Sequence, residues 1–201
     1  MPVVTRLALD CPRIVGLKDS SRDFPRFLNT LHAIKPQRPD FSCLIGCEEI
    51  LFPSLQMGAD GGTIATSGVV PEVIMKLYRE FQAGNLAEAK RIQFKLLDLI
   101  NAMLYGTNFP EGFRAGMSLR GFNLGTTRQL LSPREQSDLE DIRGKIACIL
   151  ADCGFGEAAS ACRRPGHPAG EPRPASSAVD VDVLVKEVMA RLQSGNTRTQ
   201  P

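Results

Sequence analysis

A lysine at the end of an apolar run is the residue best suited to chemistry in this sequence. Residues 13–18 read RIVGLK, a run of strand length, and the turn-forming residues Asp-Ser-Ser follow Lys18. A partly desolvated lysine amine can attack a ketone and form a Schiff base. The protonated imine then withdraws electrons from the adjacent carbon, so carbon–carbon bonds can be made or broken there. The alternative is a solvated lysine that ends a strand ahead of a helix.

Two further strand ends carry candidate binding residues. Residues 41–46 read FSCLIG, and they end at Gly46 just before Glu48 and Glu49. Residues 61–66 read GGTIAT and contain Thr63. In a parallel α/β barrel, functional groups gather where strands end and the following loops begin. We therefore expect these residues to lie near Lys18.

The elements that position these residues alternate between strand and helix patterns. Apolar residues recur with helical spacing after Asp23, a candidate N-cap, and again after Pro71. Strand, helix, strand, helix at this spacing predicts βαβ units and a parallel sheet. Beyond this region the pattern is only helical, over residues 86–103, 111–120 and 133–152. The predicted fold class is α/β.

Composition excludes several classes of protein. The chain has 201 residues, with 24 basic and 22 acidic side chains, and a net charge of +2 does not indicate a nucleic-acid partner. No stretch approaches the roughly 20 apolar residues of a membrane helix, and the first residues lack the apolar core of a signal peptide. The six cysteines are typical of buried reduced thiols in a cytoplasmic protein. Cys148, Cys153, Cys162 and His167 are spaced too loosely for structural zinc, so no metal site is predicted.

The lysine run and its neighbours resemble a known family. IVGLKDSSRD is similar to the Schiff-base lysine strand of the dihydrodipicolinate synthase/N-acetylneuraminate lyase family of class I aldolases. The segments LIGCEEILFPSLQMGADGGTIATSGVVPE, NFPEGFRAGMSLRG and LLSP continue the likeness in order over roughly residues 3–153. The resemblance implies that Lys18 forms an imine with pyruvate or a related 2-keto acid, with no metal or organic cofactor.

The resemblance also assigns roles to the binding candidates. Gly46 and Thr63 match positions where the family's backbone approaches the bound keto acid. Glu48 and Glu49 match positions where sialic-acid lyase members place acidic side chains against sugar hydroxyls. Position 63 is more often Ile in the family, and the Asn usual after that strand is Gly68 here. The substrate is therefore left open.

The length conflicts with a complete barrel. The family fold needs eight βα units and about 250 residues, whereas the three predicted strands match its sixth to eighth. The glycine- and threonine-rich carboxylate loop and the proton-relaying tyrosine are missing, and we expect Tyr78 and Tyr105 to be core or surface residues. Residues 1–155 are thus predicted to form a partial (β/α)8 barrel with C-terminal helices: part of a longer enzyme, half of a split barrel, or a relic. Alone it is expected to be inactive or very poor. A homo-oligomer or the missing N-terminal half is the expected protein partner.

The end of the chain has a different composition. Residues 156–177 are rich in Pro, Gly, Ala and Arg and predict a flexible linker. Residues 178–193 contain VDVLVKEVMARL, an amphipathic helix pattern, and residues 194–201 are predicted to be disordered. The helix resembles encapsulation peptides of bacterial microcompartment enzymes. This implies a shell-protein partner, although docking on its own domain or a small homo-oligomeric coil stay open. The rival function is a non-catalytic microcompartment relic or adaptor.

Overall fold

The computed structural model describes residues 2–163 of the chain. Met1 and residues 164–201 lie outside the described part. The predictions of a tail helix over residues 178–193, of disorder over 194–201 and of most of the linker therefore fall on residues that the structure does not describe.

A three-stranded parallel sheet carries the strand ends of interest. The strands are β1 (Gly16–Asp19), β2 (Ser42–Ile45) and β3 (Gly61–Gly62), in the spatial order β1-β2-β3. Lys18 pairs with Leu44, and Leu44 pairs with Gly61, so the carboxyl ends of all three strands meet at one edge. The predicted parallel sheet is present, with strands shorter than the apolar runs.

Seven α-helices surround the sheet within residues 2–163. They are α1 (Pro2–Asp10), α2 (Phe24–Ile34), α3 (Leu51–Gln56), α4 (Pro71–Gln82), α5 (Leu86–Ile100), α6 (Glu111–Leu119) and α7 (Pro133–Asp152). Short 3-10 turns cover Glu48–Ile50, Ala65–Gly68 and Gly156–Ala161, and a π-helical turn covers Asn101–Tyr105. Helix α1 is an addition to the predicted elements. None of the described helices is long and apolar enough to cross a membrane.

Local capping explains where two of these helices begin. The Asp23 side chain accepts a hydrogen bond from the Arg26 N–H (2.9 Å), which satisfies one of the first amides of α2. At α7, Ser132 and Glu135 form a reciprocal capping box, in which each side chain accepts the other's backbone N–H. Both helix starts agree with the sequence prediction.

One apolar core joins the helices and the sheet. Its fully buried side chains from α5, the turn after it and α7 include Leu96, Leu99, Met103, Ile146 and Leu150. The buried Gln93 amide ties α5 to the segment after β2: it donates to the Glu48 carbonyl (2.7 Å) and accepts from the Phe52 N–H (2.8 Å). The helical core therefore anchors the segment that leaves the second strand.

The start of the predicted linker is structured. Residues Gly156–Ala161 form a 3-10 turn in which Ala158 is fully buried, and a disulfide joins Cys148 of α7 to Cys162. This disulfide corrects the expectation that all six cysteines are reduced thiols; Cys11, Cys43, Cys47 and Cys153 are free. Because alanine and glycine are small, the chain can turn back against α7 where composition alone predicts a linker.

Candidate active site at the strand ends

Lys18 reaches across the backbone of Gly46. The lysine lies near the end of β1 with an exposed side chain. A Cβ added to Gly46 would approach the Lys18 Cε to 2.7 Å and the Ser20 Oγ to 2.1 Å. The Gly46 N–H donates to the Asp19 carbonyl (2.7 Å), which holds the two strand ends together. The missing side chain at Gly46 therefore provides the space that the lysine occupies.

The loop after Lys18 is fixed by polar contacts. The buried Asp19 carboxylate accepts from the Ser21 N–H (2.8 Å) and lies 4.0 Å from the Arg26 Nε. Such a turn, in which an aspartate side chain bonds the backbone two residues on, is a local alternative to a further strand residue. It ends β1 immediately after the lysine.

Thr63 lies at the end of the third strand. Its N–H donates to the Ile45 carbonyl (2.8 Å), and its side chain is exposed. Since β1, β2 and β3 are parallel and adjacent, Lys18, Gly46 and Thr63 follow three neighbouring strand ends. The structure thus brings these three predicted site residues to the same edge of the sheet.

The side chains of the two glutamates after Gly46 lie in different environments. Glu48 is buried, and its carboxylate accepts from the Thr66 N–H at 2.6 Å. This contact holds the Ala65–Gly68 turn that follows Thr63. Glu49 is partly exposed and accepts a hydrogen bond from the Tyr105 hydroxyl at 2.8 Å. Of the pair, Glu49 is the residue that borders solvent at the strand ends.

Arg22 and Tyr105 complete a cluster around Glu49. The Arg22 Nε lies 3.7 Å from the Glu49 carboxylate, and its guanidinium carbon lies 5.4 Å from the centre of the Tyr105 ring. The hydrogen bond to the Glu49 carboxylate raises the pKa of Tyr105 above its ordinary value, because ionisation would break it. We did not expect either residue at the site. The sequence could have indicated Arg22, since it follows Lys18 by four positions. It could not indicate Tyr105, which is 56 residues from Glu49 in the chain.

Cys47 is buried between these groups. Burial raises the pKa of the Cys47 thiol above its ordinary value, and a hydrogen bond from the Arg22 backbone offsets part of that rise. The thiol therefore stays protonated at neutral pH.

In the described part of the chain, no group of three or more metal-ligating side chains comes together.

The sequence matches the Dihydrodipicolinate synthetase family over residues 1–148. It is 30% identical over 151 residues to a DapA-like lyase from Pyrococcus horikoshii, covering 75% of this chain and 51% of that protein. The crystal structure of a dihydrodipicolinate synthase from Thermotoga maritima superimposes with a TM-score of 0.65 at 28% identity, covering 77% and 50% of the two chains. A prophage protein of this family from E. coli K12, solved in complex with pyruvate, shares the fold with a TM-score of 0.66 at 23% identity, covering 74% and 50%.

These matches settle the family and the fold class. The chain spans about half the length of the relatives it matches. The predicted α/β fold, a part of a (β/α)8 barrel, is confirmed by structures that superimpose over about half of their own length. With Lys18, Gly46 and Thr63 at neighbouring strand ends, the chain belongs to the Dihydrodipicolinate synthetase family.

Proposed function

We propose that Lys18 is the Schiff-base lysine of a lyase or aldolase acting on pyruvate or a related 2-keto acid. The observation that carries this proposal is the seating of the Lys18 side chain over Gly46, beside the strand end that bears Thr63. The family membership supports it further. A primary amine on a rigid strand, next to backbone that lacks a side chain, leaves room for a planar keto acid.

The chemistry requires only the lysine and a proton acceptor. The neutral amine attacks the ketone carbon, water leaves, and a protonated imine forms. The imine nitrogen then accepts the electron pair of the adjacent carbon–hydrogen or carbon–carbon bond as that bond breaks. Reprotonation or addition to an aldehyde regenerates the imine, and water releases the product. No metal or organic cofactor takes part, because the imine itself is the electron sink.

The two glutamates have separate roles in this proposal. Glu49, with its partly exposed carboxylate, contacts the substrate beyond the keto carbon. Glu48 is a positioning residue, since its carboxylate is occupied by the Thr66 N–H. Its replacement would move the turn after Thr63 without removing a substrate contact.

Turnover requires a partner polypeptide. The carboxylate loop and the relay tyrosine of the family belong to strands that we expect to precede β1 in a complete barrel. Two observations support such a partner: within residues 2–163 β1 and β3 each have one unpaired edge, and Val15 beside β1 is 67% exposed. We propose that the missing N-terminal half, or another copy of the chain, covers this edge. The lone chain is expected to show little or no steady turnover of a keto acid.

Borohydride trapping tests the role of Lys18. The full chain is incubated with pyruvate, reduced with borohydride and mapped by peptide mass spectrometry, with Lys18→Arg as the matched control. We expect a pyruvyl adduct on the peptide that contains Lys18 and none in the variant. If the adduct spreads evenly over the chain's seven lysines, or is absent with the missing half also supplied, the proposed role of Lys18 is refuted.

The proposed cellular location rests on the sequence alone. Residues 178–193, the candidate shell-docking helix, lie outside the described residues. Fusion of these residues to a fluorescent protein tests a location in the cytoplasm inside a bacterial microcompartment. Punctate fluorescence that co-purifies with shells would support it, and diffuse fluorescence in shell-producing cells would count against it.

A further inference from the structure

Arg22 has an unusual backbone conformation next to the proposed site. Its φ is +63°, and it is the one non-glycine residue with positive φ that the structure describes. A side chain with a Cβ is disfavoured in this left-handed region, where glycine and asparagine are tolerated. A bulky residue held there indicates that its side chain is needed at that place.

This conformation places the Arg22 side chain over Tyr105 and beside Glu49. The ring of Tyr105 lies 5.4 Å from the guanidinium carbon, and the Glu49 carboxylate lies 3.7 Å from the Nε. The Arg22 side chain is 56% exposed, and within residues 2–163 its guanidinium nitrogens donate no hydrogen bond. Its planar fork of donors therefore faces solvent, oriented but available to a ligand.

The contacts of Arg22 with its own chain do not account for its strained backbone. An exposed ion pair at 3.7 Å with no hydrogen bond contributes little to stability. Asparagine or glycine would adopt the same backbone at lower cost. A purely structural role therefore leaves the choice of arginine unexplained.

The Arg22 side chain lies on the same edge as the proposed lysine. The Arg22 Nε lies 3.7 Å from the carboxylate of Glu49, three residues after Gly46. The Lys18 side chain crosses the backbone of Gly46. A keto acid held on Lys18 can thus extend toward Arg22 across this short segment.

We propose that Arg22 is a specificity-determining residue that binds an oxyanion, a carboxylate or phosphate, at the end of the substrate remote from the keto carbon. A guanidinium binds such groups through two parallel hydrogen bonds. Glu49 and Tyr105 hold the guanidinium in place. This inference rests on the proposed function of Lys18, because it assigns the far end of the molecule that Lys18 captures.

Competitive trapping on Lys18 in the full chain tests the proposal. The probes are pyruvate, 2-oxopentanoate, 2-oxoglutarate and 2-oxo-4-phosphonobutanoate, each reduced with borohydride and quantified on the Lys18 peptide. We expect 2-oxoglutarate or the phosphonate to form the Lys18 adduct roughly tenfold faster than 2-oxopentanoate, whose tail is uncharged. A charge-assisted pair of hydrogen bonds accounts for a difference of this size. The two charged probes distinguish a carboxylate from a phosphate as the natural group.

Variants at position 22 separate specificity from folding. Arg22→Gly and Arg22→Asn remove the charge and suit the left-handed backbone, so we expect them to fold at least as well as the parent chain. In both, the ratio of charged-tail to uncharged-tail adduct, each measured relative to the pyruvate adduct of the same variant, should fall to about one. Arg22→Lys should restore part of the preference. Arg13→Gln, at an exposed position ahead of β1, makes the same charge change and should leave the preference intact.

The outcomes distinguish this inference from the proposed function. Absence of any Lys18 adduct, even with pyruvate and with the missing N-terminal half supplied, overturns both. A normal pyruvate adduct with no preference for charged tails in the parent chain overturns the role of Arg22 alone. A preference that survives in Arg22→Gly and Arg22→Asn also overturns it.

Discussion

Two regions of this molecule differ in how they hold their key side chains. The helical body, comprising α4 to α7 with Gly156–Ala161, contains fully buried apolar side chains such as Leu96 and Leu150, although Phe94 and Phe109 stay exposed on its surface. The mouth, comprising β1, β2 and β3 with the loops that follow them, exposes Lys18 and the neighbouring Val15. Polar contacts, such as that of Glu48 with the Thr66 N–H, fix its loops.

The difference indicates which part of the protein determines its stability. The fully buried side chains of the body belong to the core that supports the sheet. The mouth presents an unpaired strand edge and an exposed amine, as expected of a site that is finished by another polypeptide. Changes in the body should therefore affect stability, and changes in the mouth should affect imine formation.

The largest effect on stability should come from a cavity in the body. Leu96→Ala removes a fully buried side chain and should lower the free energy of unfolding by about 3 kcal/mol. Val15→Ala, at an exposed position beside the mouth, should change it by less than about 0.5 kcal/mol. Urea unfolding followed by circular dichroism measures both. Equal losses would break the proposed division between the two regions.

Arg120 should be the most important polar residue of the body. Its guanidinium donates to the Val69 carbonyl (2.7 Å) and to Glu72 (2.9 Å), and lies 3.8 Å from the centre of the Phe155 ring. Arg120→Ala should cost about 2 kcal/mol, because a largely buried carbonyl loses its donor and the ring loses its cation. Arg134→Ala is the matched control, since Arg134 is exposed and its ion pair with Asp138 is long, at 4.0 Å. A similar loss in both variants would contradict the role of Arg120.

Gly46→Ala should reduce imine formation at the mouth and leave the stability of the protein nearly unchanged. The new Cβ would collide with the Lys18 Cε and the Ser20 Oγ, so both side chains must move. We expect roughly tenfold less borohydride-trapped pyruvate on Lys18, because small displacements of a reacting group are costly. The change in unfolding free energy should stay below about 1 kcal/mol, since both side chains are exposed.

Gly61→Ala is the control for that substitution. Its added Cβ would meet only Leu44 Cδ2, at an ordinary 3.6 Å. Trapping at Lys18 should be unaffected. If Gly61→Ala reduces trapping as strongly as Gly46→Ala, the reduction is caused by a general disturbance of the sheet and not by a collision with the Lys18 side chain.

The smallest expected effect is a pH-dependent one at the edge of the body. The hydrogen bond from Arg120 holds the pKa of Glu72 below its ordinary value. Since the folded-state pKa is the lower one, Glu72 stabilises the fold above its unfolded pKa and loses this contribution as pH falls through its folded pKa. Glu72→Gln should thus be less stable than the parent chain by a few tenths of a kcal/mol at pH 7, and this gap should be smaller at pH 3, below the ordinary glutamate pKa.

Urea unfolding at the two pH values checks this prediction. Glu140→Gln makes the same charge change on an exposed side chain of α7 and controls for net charge. A gap between Glu72→Gln and the parent chain that is unchanged at pH 3 would show that the carboxylate charge contributes nothing.

The sequence allowed a good prediction of what is local in the chain. The caps at Asp23 and Ser132 use side chains within three residues of the amides they satisfy. The parallel sheet follows from the βαβ spacing, and the lysine at the first strand end follows from a local motif.

The contacts that were missed join distant parts of the chain. Tyr105 donates a hydrogen bond to Glu49, which is 56 residues away in the chain. Helical periodicity predicts the buried face of a helix, but it does not predict which distant loop an exposed side chain contacts. The disulfide between Cys148 and Cys162 depends on the turn at Gly156–Ala161, which composition alone assigned to a linker. The positive φ of Arg22 is likewise not indicated by its residue type, since arginine rarely adopts this conformation.

Exchange of the methyl protons of pyruvate in D2O tests the central claim most directly. A protonated imine on Lys18 makes these protons acidic, so solvent deuterium replaces them without a second substrate. We predict that the full chain accelerates the loss of the pyruvate methyl signal in proton NMR, in proportion to its concentration, and that Lys18→Arg does not. Equal exchange rates for the parent chain and Lys18→Arg would contradict the assignment of Lys18 as the electron sink.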